Sequence, residues 1–382
     1  MRIPRTLRFR VIDLYLGLIC MYPLSTMLID GTIINKLMFA MLFALHVYSF
    51  FVSPIKKRTV ILLMLLVVQY LFVIYCTDFP VWNANLLFYF PYFLMYTYFM
   101  CDNTEMVTRW LLEKRKYLHS IVVFWSIIVG VSIFVPTCYY VKEGGALYFG
   151  SWTSDIFRLG QSVMFIQILI IVLQTMHRLK YATAYMVIPL YCVFMGSSRT
   201  YLVIGLLLFI ISWYITCKKK WYFWGTIVPL GILFLILIMN SSMGAKILYT
   251  LDEKQYGDFW FRISSSRSVL WEKDLTAWSQ LPILNKMLGY DIDYTLEISG
   301  VWGHNDFVEI LCSFGVLGIV QYMEAMRRLF VKGFKSEKIP TIISLCTVMV
   351  WLFNAFFNMH YVYFCAALSF PFLVFALRSM SG

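Results

Sequence analysis

Twelve apolar runs, each close to the length that carries a helix across a bilayer, follow one another through most of the 382 residues. They leave the chain little else to fold into. A hydrocarbon core is crossed by about 20 apolar residues in helical form. The runs fall at 11–29, 36–53, 59–76, 84–100, 119–137, 156–176, 181–196, 200–217, 222–240, 305–326, 340–359 and 361–378. Inside lipid every backbone N–H and C=O needs an internal partner, which a helix supplies along its own length. Charged residues are 14% of the chain, against about a quarter in a soluble protein. The expected fold is therefore an all-α polytopic integral membrane protein of about 12 transmembrane helices. Residues 1–382 form a single polytopic membrane domain.

Basic residues occupy alternate gaps between the runs. Arg2, Arg5, Arg8 and Arg10 open the series, followed by Lys56, Lys57 and Arg58, then Arg109 with Lys114, Arg115 and Lys116. Arg178 and Lys180, Lys218, Lys219 and Lys220, then Arg327, Arg328, Lys332, Lys335 and Lys338, and finally Arg378 complete it. That is roughly two-thirds of all Lys and Arg, in short loops and ends, as positive-inside topology requires. The alternation is unbroken if both termini are cytoplasmic. The net charge of +12 then reports topology, and nucleic acid is not an expected partner. The start MRIPRTLRFR leads into an apolar run with no small-x-small cleavage site, so it reads as a retained first span. The nine cysteines include no CxxC and no Cys/His cluster with zinc spacing, so no metal site is expected from them.

Three segments fall on the outer side. One runs from 138 to 155 with Lys142, Glu143 and Asp155, and one is the turn Gly196, Ser197, Ser198, Arg199. The third is the large loop 241–303, placed before the last three spans. Trp260, Trp271 and Trp278 within it suit a segment at the headgroup level.

These segments hold the candidate residues. Arg199 sits between two spans, where a guanidinium either snorkels to headgroups or captures an anion with its bidentate fork. Arg262 and Arg267 flank a polar run, and a helix through them puts Arg267 and Trp271 on one face at i, i+4. The bland alternative is an interfacial helix touching lipid phosphate. His304 opens a span where the loop re-enters the membrane; it is either a headgroup contact or a neutral imidazole able to take a proton. Gly315 and Gly318 lie on one face of that span and allow close helix approach. The sequence offers no paired carboxylate at a span end, and Asp13 is the main acid within a span. The scarcity of such acids counts against an ion-coupled pump.

His304-Asn305, nine residues, then Gly315-x-x-Gly318 resembles the signature of bacterial O-antigen ligases and the related Wzy-type polysaccharide polymerases. The likeness extends back through Ser266-Arg267, Trp271 and Leu288-Gly289 to Ser197-Ser198-Arg199, and covers about 195–320. The resemblance implies a GT-C-like polymerase/ligase fold in the bacterial cytoplasmic (inner) membrane, with the active site facing the periplasm or exterior. It implies a metal-independent glycosyltransferase with no cofactor, acting on undecaprenyl-diphosphate-linked oligosaccharide donor and acceptor. His304 and Arg267 would be catalytic, with Arg199 and Arg262 binding the diphosphate. Membrane lipid, a chain-length regulator and a flippase are the implied partners. Ile319 stands where ligases often carry Thr or Val, which favours a repeat-unit polymerase for O-antigen, capsule or exopolysaccharide. A ligase passing finished glycan to lipid A core or another acceptor, and a lipid-linked sugar flippase or transporter, remain as alternatives.

Overall fold

The computed structural model of the chain describes residues 5–28, 33–78, 86–141, 147–153, 155–241, 244, 261, 262, 264, 266–334 and 339–381. Arg2, Lys142, Glu143, Lys246, Lys254, Trp260, Lys335 and Lys338 lie outside the described residues, as do the side chains of Arg5, Arg8 and Arg10.

Each apolar run carries a helix over most of its described residues. The first half carries α1 (Arg5–Leu28), α2 (Ile33–Val52), α3 (Lys57–Cys76), α4 (Leu86–Asp102), α5 (Thr104–Glu113) and α6 (Arg115–Ser132). A small antiparallel hairpin, β1 (Tyr139–Val141) with β2 (Leu147–Phe149), pairs Tyr139 with Phe149. Then come α7 (Ile156–His177), α8 (Ala182–Tyr185), α9 (Val187–Gly196), α10 (Arg199–Thr216) and α11 (Lys220–Met239). The 241–303 loop contains α12 (Arg267–Ser279), α13 (Ile283–Leu288) and α14 (Tyr294–Ser299). The chain closes with α15 (Asp306–Gly333), α16 (Thr341–Phe357) and α17 (Phe364–Arg378). Among the described residues, six helices are long and apolar enough to cross a membrane: α1 over Val11–Leu28, α3, α7, α10, α11 and α15.

Burial sorts these helices into a centre and a rim. α7 is apolar on all sides, and every residue from Leu159 to Gln174 is buried; a helix without a polar face belongs in an interior. α1, α6, α9, α10 and α17 pack around it. Gly160 makes room for the Tyr201 ring of α10, whose Cδ2 would lie 2.1 Å from an added Cβ. Polar side chains in α7 reach across to neighbours instead of to water. Trp125 Nε1 donates to Ser162 Oγ (2.5 Å), and Gln174 Nε2 to Ser212 O (3.0 Å) and Thr216 Oγ1 (2.8 Å). Such interhelical bonds are worth about 0.6 kcal/mol each in membrane proteins. At the rim, α3 and α11 turn Val67, Val68, Leu71, Val228, Leu233 and Leu235 outward. In water that apolar surface would cost about 25 cal/mol per Å²; hydrocarbon removes the cost.

The helices of the large loop form a cap on the first half of α15. Tyr294, Val308 and Cys312 make a small second core, and Trp271, Trp278 and Tyr290 pack onto it. Trp271 and Trp278 are half-buried against this core, and the Gly303 carbonyl accepts the Trp271 indole N–H at 2.5 Å.

The reading of Gly315 and Gly318 as one smooth helix face is corrected. α15 breaks at Gly315, which takes φ +63° and ψ −170°. The break leaves carbonyls short of helical donors, and the cap supplies others: Tyr290 N–H donates to Ser313 O (3.2 Å), and Gln69 Nε2 donates to Phe314 O. Gly289 N would lie 2.6 Å from a Cβ at Gly315, so the two glycine backbones touch. Only glycine fits both the positive φ and this contact.

Candidate functional site

One end of the bundle gathers three of the four residues singled out by sequence. Arg199 is the first residue of α10, reached through Ser197 in a left-handed conformation with φ +53°. That turn is folded into protein, with Ser197 and Ser198 buried and Gly196 against the Phe149 carbonyl of β2. Arg267 begins α12 after Ser266, also left-handed at φ +69°. Its Nη1 donates to Phe357 O at the end of α16, where helix-terminal carbonyls favour a cation. Trp271 meets the Phe357 ring at 6.5 Å, so Arg267 and Trp271 do share a face.

Burial lowers the pKa of the Arg267 guanidinium; Tyr363 opposes this and the like charge of Arg199 adds to it. The two guanidiniums therefore lie within each other's field. His304 stands in the same field. Its pKa is lowered to about 4, first by burial and then by the charge of Arg267, so it is neutral at pH 7. Its ring stacks on Phe157 of α7, centroids 6.3 Å apart at 14°, and its Nδ1 is buried without a partner among the described residues. Arg262 is buried in the turn five residues before Arg267, at 3% exposure.

The backbone at His304 is left-handed, φ +52°, an unusual state for a residue with a Cβ. What holds it there is Glu309. Its carboxylate accepts Gly303 N–H at 2.6 Å and Thr295 Oγ1–H at 2.5 Å, fixing the residue next to His304. Asn305 caps the following helix, its Oδ1 accepting from Phe307 N (2.9 Å) and Val308 N (3.3 Å). Beside Glu309 lies Asp274 of α12, fully buried, with Oδ1 accepting from Ser299 Oγ at 2.6 Å. Burial raises the Asp274 carboxyl to about 6, partly opposed by the Ser299 bond and Lys273. An added Cβ at Gly303 would meet Asp274 Oδ2 at 3.3 Å and Glu309 Oε1 at 3.4 Å.

Asp306 is the second buried acid of this helix start. Its Oδ2 accepts from Tyr322 Oη at 2.5 Å, and Trp351 Nε1 donates to that hydroxyl at 2.9 Å. Sequence reading found no paired carboxylate at a span end; Asp306 and Glu309 are one. The signal was there as D-x-x-E directly after the Asn305 cap, masked because first-turn acids are ordinary helix-dipole partners. Asp155, at the end of the outer segment 138–155, forms an ion pair with Arg158 at 3.4 Å. Asp155 caps α7 through Phe157 N at 2.8 Å, and both charges act on Tyr363, which also feels Arg267. Arg267 thus acts on both His304 and Tyr363, and Arg158 on Tyr363.

A separate acidic group lies in the cap. Asp291, Asp293 and Glu297 bring one oxygen each within 4.8 Å of one another, the arrangement among the described residues with cation-ligand spacing. Burial, then hydrogen bonding with Asp293, pushes the Asp291 carboxyl up. It also accepts from backbone, from Asp293 N–H at 3.3 Å and Asp78 N–H at 3.4 Å, the latter tying this segment to the end of α3.

The helices and their outward apolar faces define an α-helical membrane protein, with arginines and a neutral histidine assembled at one end of the bundle. No family model matches the sequence, and no curated protein matches it.

Proposed function

We propose that the chain is a metal-independent glycosyltransferase that polymerises undecaprenyl-diphosphate-linked repeat units of a surface polysaccharide. In this reading it crosses the bacterial cytoplasmic membrane about twelve times in a GT-C-like fold, with both termini cytoplasmic and the His304 end outward. The observation that carries it is the meeting of Arg199, Arg267 and His304, which come from three separate parts of the chain. Two guanidiniums that share a field are stabilised by an anion between them, and a diphosphate fits their forks. Arg262 serves as a further cation in the turn before α12.

The reaction breaks the bond between the sugar C1 and the diphosphate oxygen, and undecaprenyl diphosphate leaves with the electron pair. The acceptor hydroxyl oxygen bonds to C1, and its proton passes to the His304 imidazole. Charge builds on the leaving oxygens, where Arg199 and Arg267 stabilise it in a poorly hydrated setting. The low pKa of His304 suits the sequence of events. A bound diphosphate offsets the Arg267 charge that depresses it, so donor binding raises the basicity of the imidazole.

The test is reconstitution of the purified protein with lipid-linked repeat units. A ladder of longer lipid-linked glycans is expected; no elongation under conditions that keep the protein folded overturns the reading. Adding lipid A core as a second acceptor separates a ligase, which would modify the core and leave single units unextended.

A further inference from the structure

The rim helix α2 turns polar residues inward. His46, Ser49 and Ser53 are buried, while Met41, Tyr48 and Phe51 face outward. The three stand at i, i+3 and i+7, with Ser53 just past the end of α2, and so share one face. Ionisable side chains within a span are rare, and they mark routes for protons or ions. The glycan-transfer reading uses none of these residues.

His46 is held from one side. Its Nδ1 shares a hydrogen with Tyr15 Oη of α1 at 2.7 Å, and that hydroxyl lies 3.3 Å from Tyr92 Oη of α4. Its Nε2 is buried without a hydrogen-bond partner among the described residues, as are Ser49 Oγ and Ser53 Oγ. Hydroxyls in other helices turn back on their own backbone: Thr97 to Phe93 O, Ser126 to Val122 O and Thr347 to Ile343 O, each at 2.8 Å. Ser49 does not. An interior polar atom left unbonded bears its whole desolvation cost, and a buried site with several such atoms takes up water. The titratable groups facing the imidazole among the described residues are Tyr15, Tyr92 and Tyr96, with Cys20 beside Tyr96. No charged side chain among them acts on it.

Water has a short way to travel. At the end of the bundle opposite His304 a cleft of about 940 Å³ opens, with Ile12, Pro54 and Asn103 in its wall. Carboxylates and cations both line it, Asp13, Glu105 and Lys114 among them, so water wets it. Ile12 is one turn before Tyr15 on α1. Asn103 N–H bonds the Phe99 carbonyl at 3.0 Å, and the Phe99 ring lies 5.8 Å from that of His46. On both helices the cleft is thus about 5.4 Å, one helical turn, from residues that touch His46. On α2, Ser53 and Ser49 lead from Pro54 to the same imidazole.

We propose that His46 is a proton-binding site inside the helix bundle, fed from this cleft by water that bonds Ser53, Ser49 and the imidazole Nε2. With its hydrogen on Nδ1, the ring donates to Tyr15 Oη and presents the Nε2 lone pair. A proton from hydronium adds there and leaves water behind, while Tyr15 O–H donates to Tyr92 Oη. An imidazole sealed in apolar surroundings stays neutral, so titration separates a fed site from a sealed one. The test is solid-state NMR of the protein with isotope-labelled histidine in phosphatidylcholine liposomes, the His46 signals being identified by their loss in His46→Gln. As pH falls from about 8 to 4, through the imidazole range, the His46 nitrogens should move to the doubly protonated shift, and Nε2 should receive magnetisation from water. That transfer should drop by about tenfold in Ser49→Val, which fills the file and removes a hydrogen bond. The other histidine signals, unmoved, check the fold. Ser126→Ala, whose hydroxyl bonds its own helix, should change neither readout. A His46 that fails to titrate or receives nothing from water, or equal transfer in Ser49→Val, overturns the proposal.

Discussion

The two ends of α15 use their carboxylates in opposite ways. At the far end Glu324 gathers Arg58, Arg327 and Arg328, so the arginines serve the fold. At the near end Glu309 and Asp306 bond backbone N–H groups and hydroxyls and hold the His304 loop, while Arg199 acts electrostatically on Arg267. An acid spent on backbone shapes the chain around it. An acid spent on cations closes them off. The contrast supports the proposal that the His304 end is the working end of the bundle.

Four outcomes would break or sharpen that contrast. His304→Ala should lower glycan transfer by about 10²–10⁴-fold, the usual worth of a proton-transfer group, with the unfolding temperature little changed. Full activity in that variant, read from the glycolipid ladder, would remove His304 from the site. Glu324→Ala should do the reverse: transfer persists, but stability drops, chiefly because the largely buried Arg328 guanidinium loses its partner, while the exposed Arg58 and Arg327 contribute little. Denaturant unfolding in micelles reads that loss.

Glu309→Gln sits between these. It keeps the shape but weakens the bonds to Gly303 and Thr295, so about 1–2 kcal/mol of stability goes. Transfer should fall through kcat more than KM, since His304 is displaced while the arginines stay. An unchanged kcat would mean that Glu309 does not position the loop.

The smallest effect is a pH slope. His304 has a folded pKa of about 4 against an ordinary 6.5, so the unfolded chain takes up this proton first and acidification through that window costs stability. Asp274 runs the other way: its carboxyl is raised to about 6 from 3.8, so its contribution is present below 3.8 and is lost as pH rises through 6. Asp274→Asn should therefore gain stability over the wild-type chain on going from pH 4 to pH 7. Thermal unfolding at both pH values checks it, and a constant difference would show that the carboxyl does not titrate there.

Much of this was legible beforehand, for local reasons. Apolar runs of bilayer length became helices one by one, because a helix satisfies its backbone without any distant partner. The i, i+4 spacing put Arg267 and Trp271 on one face of α12 for the same reason. The missed features depend on partners far along the chain. Gly315 reads as a helix-packing glycine until Tyr290 and Gln69 are seen to take the carbonyls that its break exposes. Glu309 reads as a first-turn acid until Thr295 and Gly303 are seen to converge on it.

The amino-acid order alone therefore determined the helices, their apolar faces and the alternation of basic ends, since hydrophobicity and helix geometry act within each segment. Tertiary structure alone decided that Arg199, Arg267 and His304 share one field. It also decided that α15 breaks at Gly315 and that Tyr15 meets His46 inside the bundle. Charges and buried backbone groups are settled by whatever neighbour the packing brings, and no periodicity in the chain records that neighbour.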